Sequence, residues 1–317
     1  MKKFYGAIEI GGTKQQLAVV DESGQIVDML CERIPLPNGA IDILNWIETN
    51  FPKLLQKHPV EAIGVGYGGL LETKTGRVLL SCHVPGWENF MLRDWVEEKF
   101  HKSCVVVNDT VCGGYAELCL GTGVGYDIFF YTNIGTGIGG GLFIKGKNYD
   151  GIGYGGAYFG NTYVSDPTAD KPGAVKKLEH LCSGVNIERR LRQPGHIPYD
   201  SMLYELCKGN VEKVSCYELK IAADAKDPFA LAELDEIGRI YGICLANFIT
   251  LFAPQRVAIG GGVANLGDVL FEPIRKYAAE YAFDSTRDRY DIVPCKLMDQ
   301  TVLVGAALYA RDGFKTI

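Results

Sequence analysis

Three glycine clusters, each placed directly after an apolar segment, constrain the fold of this chain most. They are EIGGTK at 9–14, IGTGIGGG at 134–141 and IGGGV at 259–263. Short apolar runs that end in glycine turns are typical of buried strands. Glycine lets the backbone approach a ligand closely, and successive backbone N–H groups can bind anionic oxygens. Tight turns alone would explain one cluster, but three at strand ends, two of them beside a threonine, favour nucleotide phosphate binding.

Two common nucleotide-binding motifs are missing. The pattern GxxxxGK[ST] does not occur, and no GxGxxG stands between a predicted strand and a predicted helix. After the second cluster the sequence continues as LFIKG, which is predicted to be a strand. The clusters therefore predict phosphate-binding hairpins, which differ from loops that begin a helix.

The pattern of strands and helices in the first 120 residues recurs in the rest of the chain. Three strands of an antiparallel meander are followed by helix, strand, helix, strand and helix, and a strand–glycine turn–strand unit then starts the pattern again. We predict an α/β protein with an N-terminal domain at 1–120, joined by a closing helix at about 300–317. A larger domain with helical insertions follows at 121–300, and a cleft between the two domains is the expected ligand site.

Composition excludes several classes of function. The net charge is −6 with no block of basic residues, so nucleic acid is not an expected partner. The apolar run near the N-terminus is too short for a signal peptide, and no stretch approaches ~20 apolar residues, so we expect a cytoplasmic protein without a membrane contact. The ten cysteines form no CxxC or CxC pair and are expected to be buried, reduced thiols without a metal.

The segment VVVNDT at 105–110 places two polar residues at the carboxyl end of a predicted buried strand. The carboxylate of Asp109 can accept a proton from an attacking hydroxyl, and Asn108 can hydrogen-bond a polyol. Alternatively, Asp109 caps the helix that begins near Thr110. The two roles are compatible in one residue.

Five ordered motifs together resemble the ROK family of sugar kinases and related repressors. They are AIEIGGTK, VVVNDTVCGGYAE, TNIGTGIGGGLFIKGKNYDG, LEHLCSG and PQRVAIGGGVAN, and they extend over nearly the whole chain. The resemblance implies two actin-like (ribonuclease H-like) domains with a central cleft. It also implies ATP-dependent phosphorylation of a hydroxyl on a hexose, a hexosamine or a related sugar.

The resemblance also implies roles for individual residues. Asp109 corresponds to the general base, and Asn108 and Gly68 lie on the sugar side. Magnesium would accompany ATP near Glu9, and a homodimer or homotetramer is expected. The residues that match the nucleotide side are Glu9, Gly11, Gly12, Thr13, Lys14, Gly135, Thr136, Gly137, Gly261 and Gly262.

The stretch GIGYGGAYFGNTY at 151–163 departs from the family pattern. Tyr158 occupies the position of a glutamate that contacts the sugar, and Asn161 that of a histidine that also binds zinc. The cysteine-rich zinc segment is missing as well, although the downstream sugar-side Glu179 is kept. We therefore expect no structural zinc. The stretch is then expected to be held by aromatic packing through Tyr154, Tyr158, Phe159 and Tyr163.

These departures leave the substrate and the activity open. Loss of the glutamate predicts an altered specificity, for a different sugar, a substituted sugar or a non-sugar polyol. The alternative to a kinase is a ROK-fold sugar- or nucleotide-binding protein or sensor without turnover. A repressor is not expected, because the first phosphate hairpin begins by residue 9 and no DNA-binding domain precedes it.

Overall fold

The computed structural model of the chain describes residues 2–12, 14–33, 38–81, 84–297 and 300–317. Its strands, in chain order, are β1 (Phe4–Ile10), β2 (Lys14–Asp21), β3 (Ile26–Arg33), β4 (Ile63–Tyr67), β5 (Leu70–Glu72), β6 (Arg77–Leu80), β7 (Cys104–Asn108), β8 (Ile128–Ile134), β9 (Ile138–Ile144), β10 (Lys147–Asn148), β11 (Tyr163–Ser165), β12 (Val175–Lys177), β13 (Arg256–Gly260) and β14 (Asp291–Pro294).

The helices complete the α/β architecture. In chain order they are α1 (Ala40–Lys57), α2 (Leu92–Phe100), α3 (Asp109–Leu120), α4 (Leu178–Cys182), α5 (Gly184–Leu191), α6 (Met202–Leu206), α7 (Cys216–Asp224), α8 (Pro228–Phe252), α9 (Asp268–Tyr281) and α10 (Thr301–Asp312). No helix among the described residues is long and apolar enough to cross a membrane.

The first five-stranded sheet has the order β3-β2-β1-β4-β7. Strands β1, β2 and β3 form the predicted antiparallel meander, and β4 and β7 run parallel to β1. The register pairs Ile10 with Tyr67 and Tyr67 with Asn108. The carboxyl ends of three parallel strands therefore lie side by side, which is where open α/β sheets bind ligands.

The second five-stranded sheet has the order β10-β9-β8-β13-β14. Strand β13 is parallel to β14, and β10 is antiparallel to β9. The two sheets with their helices confirm the predicted α/β class. The sequence also predicts a long helix with an apolar stripe at 229–252, and α8 confirms it, because Leu234, Ile237, Tyr241 and Leu245 are all buried.

The sequence predicts a helix for VKKLEHLC at 175–182 and one strand for VEAIGVGYGGLL at 60–71, and the structure corrects both predictions. The segment Val175–Lys177 is a strand and not the start of a helix, because it pairs with Tyr163–Ser165 in a two-stranded hairpin. The apolar run after residue 60 is divided into β4 and β5, and β5 pairs with β6 in a separate hairpin. The short helix α6 has no clear periodic signal in the sequence.

The chain divides into two compact units. The first consists of Met1–Tyr131, Gly140–Ala157 and Cys295–Ile317, and the second of Thr132–Gly139 and Tyr158–Pro294. The domain limits drawn from the sequence, 1–120 with about 300–317 and 121–300, stay a prediction about the functional domains.

Candidate active site

In the first unit, Asn108 ends β7 and caps helix α3. Its Oδ1 accepts hydrogen bonds from the backbone N–H groups of Thr110, at 3.0 Å, and Val111, at 3.3 Å. The prediction that Asp109 caps the helix was therefore wrong, because the helix begins one residue earlier, at Asp109 itself. The carboxylate of Asp109 is thus not needed as the helix cap.

The carboxyl group of Asp109 is deeply surrounded by protein although part of its surface stays accessible. Loss of hydration raises its pKa from 3.8 to about 6, while a hydrogen bond from the N–H of Thr110 acts in the opposite direction. A pKa near neutral suits a group that must be ionised before it accepts a proton. The environment of Asp109 therefore favours general-base chemistry.

Glu9 is a second buried carboxylate of the first unit, only 7% exposed. Burial raises its pKa, the charge of Lys14 and the hydrogen bond from Gln16 lower it, and the negative charge of Asp109 raises it again. Nε2 of Gln16 donates to Oε2 of Glu9 over 2.6 Å. Gln16 was not among the residues predicted from the sequence, although the hairpin register that pairs it with Glu9 was the available signal.

Gly68 lies between the first glycine hairpin and Asp109. Its N–H donates to the carbonyl of Ile10 over 2.8 Å. A Cβ added at Gly68 would lie 3.0 Å from Oδ2 of Asp109 and 3.4 Å from Cα of Gly11. The structure thus brings together the glycine predicted for the sugar side, the hairpin and the predicted base.

The first hairpin itself is closed by a 3.1 Å hydrogen bond from the N–H of Gly11 to the carbonyl of Lys14. Gly12 lies in the turn between them, and the predicted ligand Thr13 lies outside the described residues. Glycine at the turn leaves backbone N–H groups open to anionic oxygens.

In the second unit, Gly135, Thr136 and Gly137 form the turn between β8 and β9. The N–H of Gly135 donates to the carbonyl of Gly137 over 2.9 Å, and the carbonyl of Gly135 accepts from the N–H of Gly184 over 2.8 Å. The N–H groups of Thr136 and Gly137 donate to no other described residue. Two backbone donors in one tight turn are the arrangement that binds a phosphate oxygen.

The third glycine turn lies against the end of β8, next to the second hairpin. Gly261 has φ +84°, and a Cβ there would lie 2.5 Å from the carbonyl oxygen of Ile134. Only glycine fits this position. Gly262 then begins a single 3₁₀ turn, Gly262–Leu266. The predicted adenosine-side glycines therefore adjoin the predicted phosphate turn.

The sequence model of the ROK family matches residues 5–313. This chain belongs to the ROK family. It is 30% identical over 310 residues to a glucokinase from Thermotoga maritima, with 96% of each chain covered. A β-glucoside kinase from Listeria innocua is 28% identical over 88% of this chain and 89% of its own. The ROK family glucokinase from Streptomyces griseus, solved with glucose and AMPPNP, has TM-score 0.83 and 30% identity, over 98% of this chain and 100% of that chain.

Glu179 of this ROK protein contacts the second glycine hairpin. Its side chain is half-buried at the start of α4, and its Oε2 accepts a 2.8 Å hydrogen bond from the N–H of Ile138. The sequence predicted Glu179 only as a sugar ligand. The bond joins residues 41 positions apart, so no local pattern indicates it.

The divergent loop of the ROK protein is held differently from the prediction. Phe159 is 2% exposed and contacts Tyr241 and Phe248 edge to face. Tyr163 is 65% exposed, so the prediction that it packs the loop was wrong, whereas the prediction for Tyr154, which is 38% exposed, stays open. Of the four predicted rings, Phe159 is the one that is fully buried.

Asn161 lies on the surface of the same loop. Its Oδ1 accepts a 2.8 Å hydrogen bond from Nζ of Lys177, and the N–H of Leu178 donates to the carbonyl of Thr162 over 2.9 Å. These two bonds close the base of the β11–β12 hairpin. Tyr158, which is half-buried, precedes the 3₁₀ turn Phe159–Asn161.

In the described part of the ROK protein, no group of three or more His, Cys, Asp or Glu side chains is placed to hold a metal ion. The nine described cysteines form no disulfide, and six of them are buried. The expectation of a zinc-free protein stays a prediction.

Proposed function

We propose that this ROK protein is an ATP-dependent sugar kinase with Asp109 as its general base. The observation that carries the proposal is the position of Asp109, whose pKa is about 6, beside Gly68 and the first glycine hairpin. The glucokinases and the β-glucoside kinase among the relatives support a hexose or a related sugar as the acceptor.

In the proposed reaction, the carboxylate of Asp109 takes the proton from a sugar hydroxyl. The hydroxyl oxygen forms a bond to the γ-phosphorus of ATP, the bond from that phosphorus to the bridging oxygen breaks, and ADP leaves. The hairpins supply backbone N–H groups to the phosphates, and Lys14 supplies a positive charge. Most of the rate gain comes from positioning and charge stabilisation.

The first unit also fits magnesium. Glu9 is a buried carboxylate whose pKa is raised by burial and by the charge of Asp109, so a nearby cation would relieve the repulsion between them. Glu9 would hold the ion through its hydration shell. Magnesium bound with ATP supplies charge neutralisation on the phosphates.

We further propose that Tyr158 and Asn161 narrow the substrate class. A tyrosine offers one hydroxyl and a flat apolar ring, on which a pyranose can stack, in place of a carboxylate. Asn161 is already bonded to Lys177. We therefore expect the chain to prefer a hexose that is substituted where the family glutamate binds two hydroxyls. Asn108 and Gly68 would contact the remaining hydroxyls.

A coupled assay of ATP consumption over hexoses, β-glucosides, N-acetylhexosamines and polyols tests the proposal. At least one compound should raise turnover far above the rate of the protein alone, and Asp109→Asn should remove nearly all of it while an ATP analogue still binds. If nucleotide binds but no acceptor raises turnover, the chain is a sensor and the kinase proposal fails. Elemental analysis after purification without chelator tests for zinc; one equivalent would overturn the zinc-free prediction.

We also propose a cytoplasmic homo-oligomer, either a dimer or a tetramer. ATP and reduced thiols both belong to that compartment. An apolar patch in the second unit supports self-association: Leu251, Tyr281 and Phe283 are 76%, 53% and 62% exposed. Within this patch the N–H of Phe283 donates to Oγ1 of Thr250, which connects the segment after α9 to the end of α8. Light scattering should give a multiple of the chain mass, and Leu251→Glu should reduce it; a monomeric wild type would contradict the proposal.

A further inference from the structure

The second glycine hairpin is held at both ends by one short segment of the second unit. The carboxylate of Glu179 accepts from the N–H of Ile138, directly after the turn, over 2.8 Å. The N–H of Gly184 donates to the carbonyl of Gly135, at the start of the turn, over 2.8 Å. Residues 179–184 therefore fix the distance between the two ends of the turn.

The same segment is itself braced. Nδ2 of Asn186 donates to the carbonyl of Glu179 over 3.1 Å and to Oγ of Ser183 over 2.8 Å. The N–H of Ser183 donates to the carbonyl of Glu179 over 3.1 Å. Glu179 thus starts from a fixed backbone, and the rotamer of its side chain decides whether the carboxylate reaches the N–H of Ile138.

The carboxylate occupies the space that a side chain at residue 137 would need. A Cβ at Gly137 would lie 2.5 Å from Oε2 of Glu179. A hydrogen bond to a charged acceptor is stronger than one between neutral groups. The carboxylate is therefore a strong determinant of the shape of the turn, in which the N–H groups of Thr136 and Gly137 are the phosphate donors.

We propose that Glu179 is a positioning residue of the nucleotide hairpin and that sugar and nucleotide binding are coupled through it. The proposal rests on the proposed function, in which Glu179 also contacts the sugar. A sugar hydroxyl bound to this carboxylate fixes its rotamer, and the fixed carboxylate holds the N–H of Ile138 and the turn before it. Because coupling is reciprocal, nucleotide binding tightens sugar binding by the same factor.

Two substitutions of Glu179 separate the positioning role from the role of a sugar ligand. Glu179→Gln keeps an oxygen that accepts from Ile138, whereas Glu179→Ala removes it. In titration calorimetry with a non-hydrolysable ATP analogue and no sugar, the alanine variant should bind about tenfold more weakly. The glutamine variant should stay within about threefold of the wild type, although its KM for the sugar rises.

A control and an opposing variant complete the experiment. Glu236→Ala removes a surface glutamate paired with Arg239, and should leave nucleotide affinity unchanged. In Gly137→Ala the added methyl group displaces the carboxylate of Glu179. This variant should bind the ATP analogue more weakly although Glu179 is intact. This second route keeps the test decisive if Glu179→Ala fails to fold. Equal nucleotide affinity in wild type, Glu179→Ala and Gly137→Ala overturns the positioning role.

The coupling is measured by repeating the titrations with glucose and with any acceptor found in the turnover screen. The wild type should bind the analogue several-fold more tightly with sugar present than without it. In Glu179→Ala the ratio of these two affinities should be near one. A factor equal to that of the wild type overturns the coupling. If no sugar binds or reacts, the proposed function fails, while the sugar-free titrations still decide the role of Glu179 at the hairpin.

Discussion

A Cβ on Gly68 would lie 3.0 Å from Oδ2 of Asp109, so the glycine sets the space that the carboxylate occupies. We predict that Gly68→Ala moves this carboxylate by a few tenths of an ångström and lowers kcat by up to about 10-fold, because a full 1 Å shift at the reacting group costs about 100-fold. Nucleotide binding should change little. Steady-state kinetics and calorimetry on the same preparation measure both quantities.

A second glycine separates this effect from general destabilisation. Gly195 has φ +76° and open space around it, so Gly195→Ala should cost about 1 kcal/mol of stability and leave kcat unchanged. If the two variants lose the same activity, the Gly68–Asp109 contact has no special role.

The pKa of Asp109, about 6, predicts the pH profile of the reaction. A general base works when ionised, so kcat/KM for the sugar should fall tenfold per pH unit below about 6 and be level above it. Binding of the ATP analogue over the same range serves as the control. A profile that stays level down to pH 5 would contradict the assignment of Asp109 as the base.

The same buried charge predicts that Asp109→Asn stabilises the fold. Burial raises the pKa of Asp109 above its ordinary value of 3.8 to about 6. The folded state is therefore most stable below pH 3.8, where the carboxyl group is protonated, and loses this stability as the pH rises through about 6. At pH 8 the amide should therefore increase the free energy of unfolding by on the order of 1–3 kcal/mol. Urea unfolding at pH 8 and pH 4 measures the gain, which should shrink at the lower pH. A gain that is equal at both values would exclude the buried charge as its cause.

Asn108 has a structural role that can be separated from sugar binding. Ser keeps an N-cap oxygen, so Asn108→Ser should retain stability, whereas Asn108→Ala should lose about 1 kcal/mol. If Nδ2 also binds the sugar, both variants should raise the KM for it. An unchanged KM in Asn108→Ser would leave Asn108 as a cap and as a donor to the carbonyls of Tyr67 and Gly69.

Glu117 is fully buried and joins two distant backbone segments of the first unit. One oxygen accepts from the N–H and the hydroxyl of Thr122, and the other from the N–H groups of Lys296 and Leu297. We predict that Glu117→Ala lowers the free energy of unfolding by about 3–5 kcal/mol, because buried donors lose their acceptor. Glu117→Gln should cost less. The surface variant Glu236→Ala should stay within about 0.5 kcal/mol; a similarly small loss at Glu117 would show that water replaces the carboxylate.

Much of the fold follows from signals that are local in sequence. Apolar runs that end in glycine predicted the strand ends at Ile10, Ile134 and Gly260. The apolar run of β7, followed by polar residues, predicted that Asp109 lies at the carboxyl end of that strand. The remainder depended on tertiary contacts. The partner of Glu179 is 41 positions away, and Lys177 reaches Asn161 only because the β11–β12 hairpin returns the chain.

For the aromatic loop, the sequence alone does not indicate which rings point inward. That choice depends on an irregular backbone, in which Gly151, Gly153, Gly155 and Ala157 all have positive φ. Phe159, in the regular turn that follows, is the ring that becomes buried.

The first unit contains segments from both ends of the chain, and this affects how it folds during synthesis. Its segment Cys295–Ile317 contains α10, which packs on β1, β4 and α3 and buries Leu303, Ala306 and Leu308. The ribosome translates this segment only after the whole of the second unit. Domains generally fold as units during synthesis, but here the earlier unit stays incomplete, with its apolar surface exposed, until the later one has emerged. Nascent chains arrested before residue 295 are therefore expected to need chaperone protection of the surface around Asp109 that α10 later covers.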